Sequence, residues 1–96
     1  MTPAFRIVTT PRFERSFNKL ARHHPQLRAL PVRVGEILSS DPYNRTRSHD
    51  IRKLESVPPG EGQYRLRLSR FRFRYDIEGQ LVMLKVCSLR SEATYR

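Results

Sequence analysis

The residues of this sequence with the most evident chemistry lie in segment 63–77, QYRLRLSRFRFRYDI. Five arginines fall between Tyr64 and Tyr75, and leucine and aromatic residues alternate with them. Guanidinium groups bind phosphate in a planar, two-pronged geometry and stabilise the negative charge that develops on it during a reaction. Chemistry on a phosphodiester is therefore the first possibility to consider.

Other catalytic patterns are missing from the sequence. It has no spacing typical of a metal site, a phosphate-binding glycine loop, a catalytic triad or a pair of catalytic carboxylates. Arg, Lys, Tyr and His remain, and they suit transesterification of an RNA phosphodiester. In that reaction the substrate's own 2′-hydroxyl is the nucleophile, so the protein has only to align the phosphate and neutralise its charge. Tyr, His or a lysine with a lowered pKa would move the protons, and neither a metal nor a cofactor is expected.

The charge of the chain points to a polyanionic partner. The 96 residues carry a net charge of +10, with 16 arginines and three lysines. Such a charge on a small chain indicates RNA, DNA, an acidic protein or, less readily, an anionic membrane. The excess of arginine favours phosphate recognition, although a genome-wide arginine bias explains individual surface arginines equally well. A hydrophobic fraction of 38% suffices for one globular domain, which we assign to residues 1–96.

The cellular compartment is predicted from what the sequence lacks. Cys87 is the one cysteine, which excludes a disulfide framework and indicates a reducing compartment. The first residues have no signal-peptide pattern, and the longest apolar run, residues 81–84, is too short to span a bilayer. We therefore expect a cytoplasmic protein without a membrane partner.

Two helices are predicted in the first half of the chain, after a short strand at residues 5–9. Thr10 is a favourable N-cap for the first helix, and Pro25 prevents this helix from continuing. A second helix covers about residues 26–39. Pro31 either kinks it or marks the start of its regular part.

The second half of the chain predicts four strands, at residues 51–56, 63–69, 71–77 and 81–87. In the second and third of these, arginines alternate with leucine and aromatic residues, which places the two sets on opposite faces. The element order βααββββ predicts an α+β fold, with two N-terminal helices packed on one face of a mostly antiparallel sheet. The arginines then line the other, open face.

In its element order and in five sequence blocks, the chain resembles the RelE/ParE superfamily of toxins from bacterial type II toxin–antitoxin systems. The blocks are DPYN, IRKLE, GQYRLRL, RFRFRYDI and LRSEATYR, in the order typical of the family and over nearly the whole chain. At Ser69 and Arg70 the sequence departs from the many relatives that have a glycine in this turn.

The resemblance implies a function and a set of residues. RelE-like members are ribonucleases that cleave messenger RNA on the ribosome, and each has an antitoxin partner. By resemblance, Lys53 and Arg65 clamp the phosphate. Arg90 stabilises the transition state, and Tyr95 stacks on a base or assists proton transfer. His49 is a second candidate for the general base. The remaining cations that we expect to bind RNA are Arg52, Arg67, Arg72, Arg74 and Lys85.

Two other functions are compatible with the same resemblance. ParE-like members inhibit DNA gyrase and generally lack the basic and tyrosine residues of the ribonucleases, and an inactive member would bind only nucleic acid or its antitoxin. The candidate residues also have structural explanations. Arg65 serves equally well to keep an exposed sheet face soluble, Tyr95 to pack against the sheet edge, and His49 as an ordinary loop residue. Their joint occurrence on or beside one open face favours the ribonuclease.

Overall fold

The computed structural model describes residues 4–89, which form two helices on one face of a five-stranded sheet. The strands are β1 (Arg6–Thr9), β2 (Ile51–Lys53), β3 (Tyr64–Leu68), β4 (Phe71–Glu78) and β5 (Leu81–Leu89); the helices are α1 (Pro11–His23) and α2 (Leu30–Ser40). Across the sheet the order is β1-β5-β4-β3-β2, with β1 parallel to β5 and all other neighbours antiparallel. The predicted α+β fold and its element order are confirmed.

Local signals in the sequence account for both helices. The hydroxyl of Thr10 accepts a hydrogen bond from the backbone N–H of Phe13, which caps α1 as predicted. Residues Pro25–Ala29 form a 3₁₀ helix, and α2 begins beyond it with Pro31 in its first turn. A proline is tolerated there because the first N–H groups of a helix have no intrahelical acceptor. Neither helix is long and apolar enough to cross a membrane.

The core lies between the helices and one face of the sheet. Its buried residues are Phe13, Ala21, Leu27, Val34, Ile37, Leu38, Leu66, Phe71, Phe73, Tyr75, Val82, Leu84 and Cys87. Along β3 and β4 the core residues alternate with the arginines, as predicted. Burial raises the pKa of Cys87 to about 12, so this thiol is a protonated core residue and not a nucleophile.

A β-bulge in β5 keeps both halves of this strand packed on the core. Lys85 is an extra residue between the β5 partners of two consecutive β4 residues, Arg74 and Tyr75. Leu84 before the bulge and Cys87 after it are both buried, although simple alternation would send them to opposite faces. The bulge therefore places both Leu84 and Cys87 on the core face.

β2 ends at Lys53 instead of at the predicted Ser56. The N–H of Leu54 still donates to the carbonyl oxygen of Gln63, at 2.7 Å, but Ser56 adopts a positive φ of 64° and turns the chain away. Residues 54–63 form a loop that returns to the start of β3.

Candidate nucleic-acid interface

On strands β2 to β5, the sheet face opposite to the helices carries six cationic side chains among the described residues, and we call this part of the sheet the cationic face. Its cations are Arg52, Arg65, Arg67, Arg72, Arg74 and Lys85. Strand pairing places Arg65 directly between Arg52 and Arg74. Arg67 is directly opposite Arg72. Like charges in opposed positions destabilise a sheet, so a bound anion would stabilise this face.

Arg65 is the central cation of this face. The exposed fraction of its side chain is 12%, and its Nε atom is buried without a hydrogen-bond partner among residues 4–89. Burial lowers the pKa of Arg65 below its ordinary value; Asp50 opposes this effect, whereas Arg67 and Arg52 add to it. A partly desolvated guanidinium with an unused donor is well suited to an anionic ligand.

Asp50 is the acid that neutralises part of the cationic face. Its Oδ1 accepts a hydrogen bond from Nη2 of Arg65 at 2.9 Å, and its Oδ2 accepts one from Nε of Arg67 at 2.7 Å. The carbonyl oxygen of Asp50 also accepts from the N–H of Arg67, at 2.9 Å. Asp50 thus extends the pairing of β2 by one residue, on the same face as Arg52. The sequence analysis did not predict this role of Asp50, although alternation along a strand places residue 50 on the same face as Arg52.

A second acid, Asp76, holds the loop of residues 54–63 against the sheet. Its carboxylate is buried, and its oxygens accept hydrogen bonds from the backbone N–H groups of Gly62 and Gln63, each at 2.9 Å. An acid inside the otherwise basic strand RFRFRYDI was the signal that could have indicated this role. Asp76 therefore determines how far the loop extends over the cationic face.

Arg74 belongs to the same loop attachment. Its Nε donates to the carbonyl oxygen of Gly62 at 3.0 Å, and its Nη2 to that of Glu61 at 2.7 Å. Gly62 has a φ of 84°, and a Cβ atom there would lie 3.0 Å from the Cβ of Arg74. Because the guanidinium of Arg74 holds the loop, the part of the face nearer Arg65 and Arg67 is the better candidate for binding a phosphate.

We expect Asp76→Asn to destabilise the protein by about 1–3 kcal/mol. The asparagine side chain has one oxygen where the carboxylate has two, so its NH₂ group would face one of the two backbone N–H groups and leave it without an acceptor. The midpoint of urea unfolding measures this. Glu78→Gln is the matched control, since it removes the same charge from an exposed position of the same strand. Its free energy of unfolding should change by less than about 0.5 kcal/mol. Equal midpoints for the two variants would contradict the role of Asp76.

Lys53 does not lie on the cationic face. It pairs with Tyr64, a residue of the core side, and its Nζ lies 5.8 Å from the centroid of the Tyr64 ring. Neighbouring residues of a strand point to opposite faces, so Lys53 and Arg65 lie on opposite sides of the sheet. The prediction that these two residues clamp one phosphate needs correction: Arg52 is the β2 cation that lies beside Arg65.

His49 is also held away from Arg65. Its backbone exchanges two hydrogen bonds with the side chain of Asn44, at 2.8 and 3.1 Å. Its Nε2 lies 3.9 Å from Oδ2 of Asp41, in the loop after α2. The structure therefore does not bring this candidate base together with the cationic face.

The loop that contains His49 is organised around Asp41. Burial alone would raise the pKa of Asp41, but hydrogen bonds from the Thr46 hydroxyl and from the N–H groups of Arg45 and Thr46 outweigh burial and lower it. The hydroxyl of Tyr75 donates to the carbonyl oxygen of Pro42 at 2.7 Å, which ties the loop to the core side of the sheet.

The remaining predicted residues, Arg90 and Tyr95, lie outside the described residues, and their roles stay predictions. Within residues 4–89, no three His, Cys, Asp or Glu side chains form a group that could hold a metal ion. The structure thus brings together the six cations of the cationic face and separates them from Lys53 and His49.

Comparison with known proteins identifies the fold. The sequence matches no protein-family model and no curated protein. The structure is similar to a crystal structure of the archaeal RelE–RelB complex from Pyrococcus horikoshii OT3, with a TM-score of 0.61. The two chains are 23% identical, and the similarity covers 93% of this chain and 98% of that chain. We conclude that the chain has a RelE-like fold.

Proposed function

We propose that this chain is the toxin of a toxin–antitoxin pair and cleaves messenger RNA on the ribosome. The observation that carries the proposal is the cationic face, on the side of a RelE-like sheet that the helices leave uncovered. Its arginines oppose one another across strands, an arrangement that RNA phosphates would stabilise. Base stacking or base-edge contacts would add the sequence preference.

In the proposed reaction, the 2′-hydroxyl of the RNA loses its proton and attacks the adjacent phosphorus. The bond from phosphorus to the 5′ oxygen of the next nucleotide breaks, and that oxygen takes up a proton. Negative charge accumulates on the non-bridging phosphate oxygens, so positioned guanidinium groups lower the barrier. Arg65 is proposed to donate to these oxygens, with Arg52 beside it holding the chain in place. Arg90 and Tyr95 remain the proposed partners for charge and proton transfer.

An antitoxin is the proposed protein partner. The similar archaeal structure is a complex of RelE with RelB, and the net charge of +10 in this chain favours an acidic segment as its ligand. Attraction between such charges depends strongly on ionic strength.

Inhibition of DNA gyrase is the second candidate function. The position of His49 beside Asp41, and not against the cationic face, favours it, because a gyrase inhibitor needs the fold and its charge but no general base. Gyrase supercoiling in the presence of the purified protein distinguishes this function from cleavage of messenger RNA.

Mapping of RNA ends after brief induction tests the proposed function. We expect new ends inside translated messages, with a 5′-hydroxyl on the downstream fragment, because the 5′ oxygen is the leaving group. Untranslated copies of the same messages are the control and should stay intact. Growth arrest with intact messages would contradict the ribonuclease proposal. If supercoiling by gyrase also falls, the second candidate is supported.

A further inference from the structure

We propose that Asp50 occupies a phosphate site of the cationic face in the free protein and that an RNA phosphate displaces its carboxylate. The site is the pair Arg65 and Arg67, which Asp50 bridges through its two oxygens at 2.9 and 2.7 Å. The inference rests on the proposed contact between the cationic face and RNA, and it adds an internal competitor to that contact.

The geometry of the bridge is one that a phosphate reproduces. Carboxylates and phosphates both present paired oxygens to guanidinium donors, and both form short, charge-assisted hydrogen bonds with them. A phosphodiester has two non-bridging oxygens that can take the places of Oδ1 and Oδ2 of Asp50. It would also bring an acceptor within reach of the buried Nε of Arg65, which has no partner among the described residues.

Displacement requires only a side-chain rotation. The backbone of Asp50 is fixed by the hydrogen bond from the N–H of Arg67, whereas its side chain is 41% exposed. Arg65 is much less exposed, at 12%, so the guanidinium stays in place while the carboxylate can turn towards water. The arginines are thus held ready for a phosphate, and the acid is the replaceable member of the bridge.

An internal anion of this kind has a clear effect on binding. The RNA must break two charge-assisted hydrogen bonds before it makes its own, so isolated phosphates bind weakly to the free protein. A ligand with several phosphates overcomes this competition through contacts with further cations of the face. Asp50 therefore selects extended RNA over small anions.

The test measures binding of a 2′-O-methyl RNA oligonucleotide, which lacks the attacking hydroxyl, by fluorescence anisotropy at fixed salt without ribosomes. We expect Asp50→Asn to lower the Kd about tenfold, since the competing charge is gone. Glu36→Gln is the control with the same charge change: Glu36 is an exposed residue of α2 that lies 3.5 Å from Arg33. Its Kd should stay within about twofold of the wild-type value. Inorganic phosphate, followed through the NMR signal of Arg65 Nε, should also bind more tightly to Asp50→Asn than to the wild-type protein.

Three results would overturn the inference. Weaker RNA binding by Asp50→Asn would make Asp50 a residue that merely positions the arginines. An equal gain in Asp50→Asn and Glu36→Gln would reduce the effect to net charge. An NMR signal of Arg65 that phosphate leaves unchanged in both proteins would mean that the site is elsewhere. Asp50→Ser replaces Asp50→Asn if the latter does not fold, with the same expected gain. The binding test does not depend on cleavage. It can therefore support or refute the displacement of Asp50 even if the protein does not cut messenger RNA.

Discussion

The Arg65→Ala variant should cleave messenger RNA on translating ribosomes at least tenfold more slowly than the wild-type protein. Arg65 lies between Arg52 and Arg74 at the centre of the cationic face. Its removal takes away the guanidinium that we propose to donate to the transition-state charge. In other enzymes, the loss of one such donor lowers kcat by about 10²–10³-fold. The rate at which cut ends appear, with purified protein and saturating ribosomes, measures the effect.

Arg33→Ala is the matched control for the Arg65 experiment. It removes the same charge from the exposed surface of α2, on the covered side of the sheet, and should leave the rate within about twofold of wild type. Arg65→Lys keeps the charge but loses the planar pair of donors, so we expect an intermediate rate. Equal losses in Arg65→Ala and Arg33→Ala would refute a specific role for Arg65. Urea unfolding of each variant separates lost activity from lost structure.

The Phe71→Ala variant should lose about 3–5 kcal/mol of its free energy of unfolding. Phe71 begins β4, its side chain is fully buried, and its ring lies 5.6 Å from the imidazole of His24 at the end of α1. The substitution leaves a cavity where this helix end meets the sheet. For a domain whose total stability is on the order of 5–15 kcal/mol, such a loss unfolds a large part of the molecules on mild heating. Urea and thermal unfolding, followed by circular dichroism, measure it.

The control for Phe71 is Val32→Ala. Val32 is 72% exposed in α2, so its truncation should change the free energy of unfolding by less than about 0.5 kcal/mol. A loss below about 1 kcal/mol in Phe71→Ala would mean that neighbouring side chains collapse into the cavity and that the core is less tightly packed than the structure indicates.

The sequence predicted both faces of β3 and β4 correctly, because strict alternation over a long run leaves one possible orientation. β2 has three residues, Ile51–Lys53, and so short a strand carries little such information. A shift of one residue in the strand register exchanges the two faces of β2. In one register Arg52 lies beside Arg65, and in the other Lys53 does. Matching sequence blocks to a family could not settle this difference, whereas the strand register does.

The acids were harder to predict than the arginines. Asp76 binds the backbone of Gly62 and Gln63, which are distant in sequence, and backbone donors leave no trace in residue type. The sequence pattern around Asp50 predicts a loop, and its partners Arg65 and Arg67 follow only after the Pro-Pro-Gly turn. The capping of α1 by Thr10 was predictable because all of its participants are neighbours along the chain.

The parallel pairing of β1 with β5 has a consequence for the order in which the protein folds during its own synthesis. Residues 6–9 pair with residues 81–84, and within the described chain β1 has no other strand neighbour. The sheet therefore cannot close while β5 is still inside the exit tunnel, and a nascent chain that exposes only β1 to β4 has no strand partner for β1.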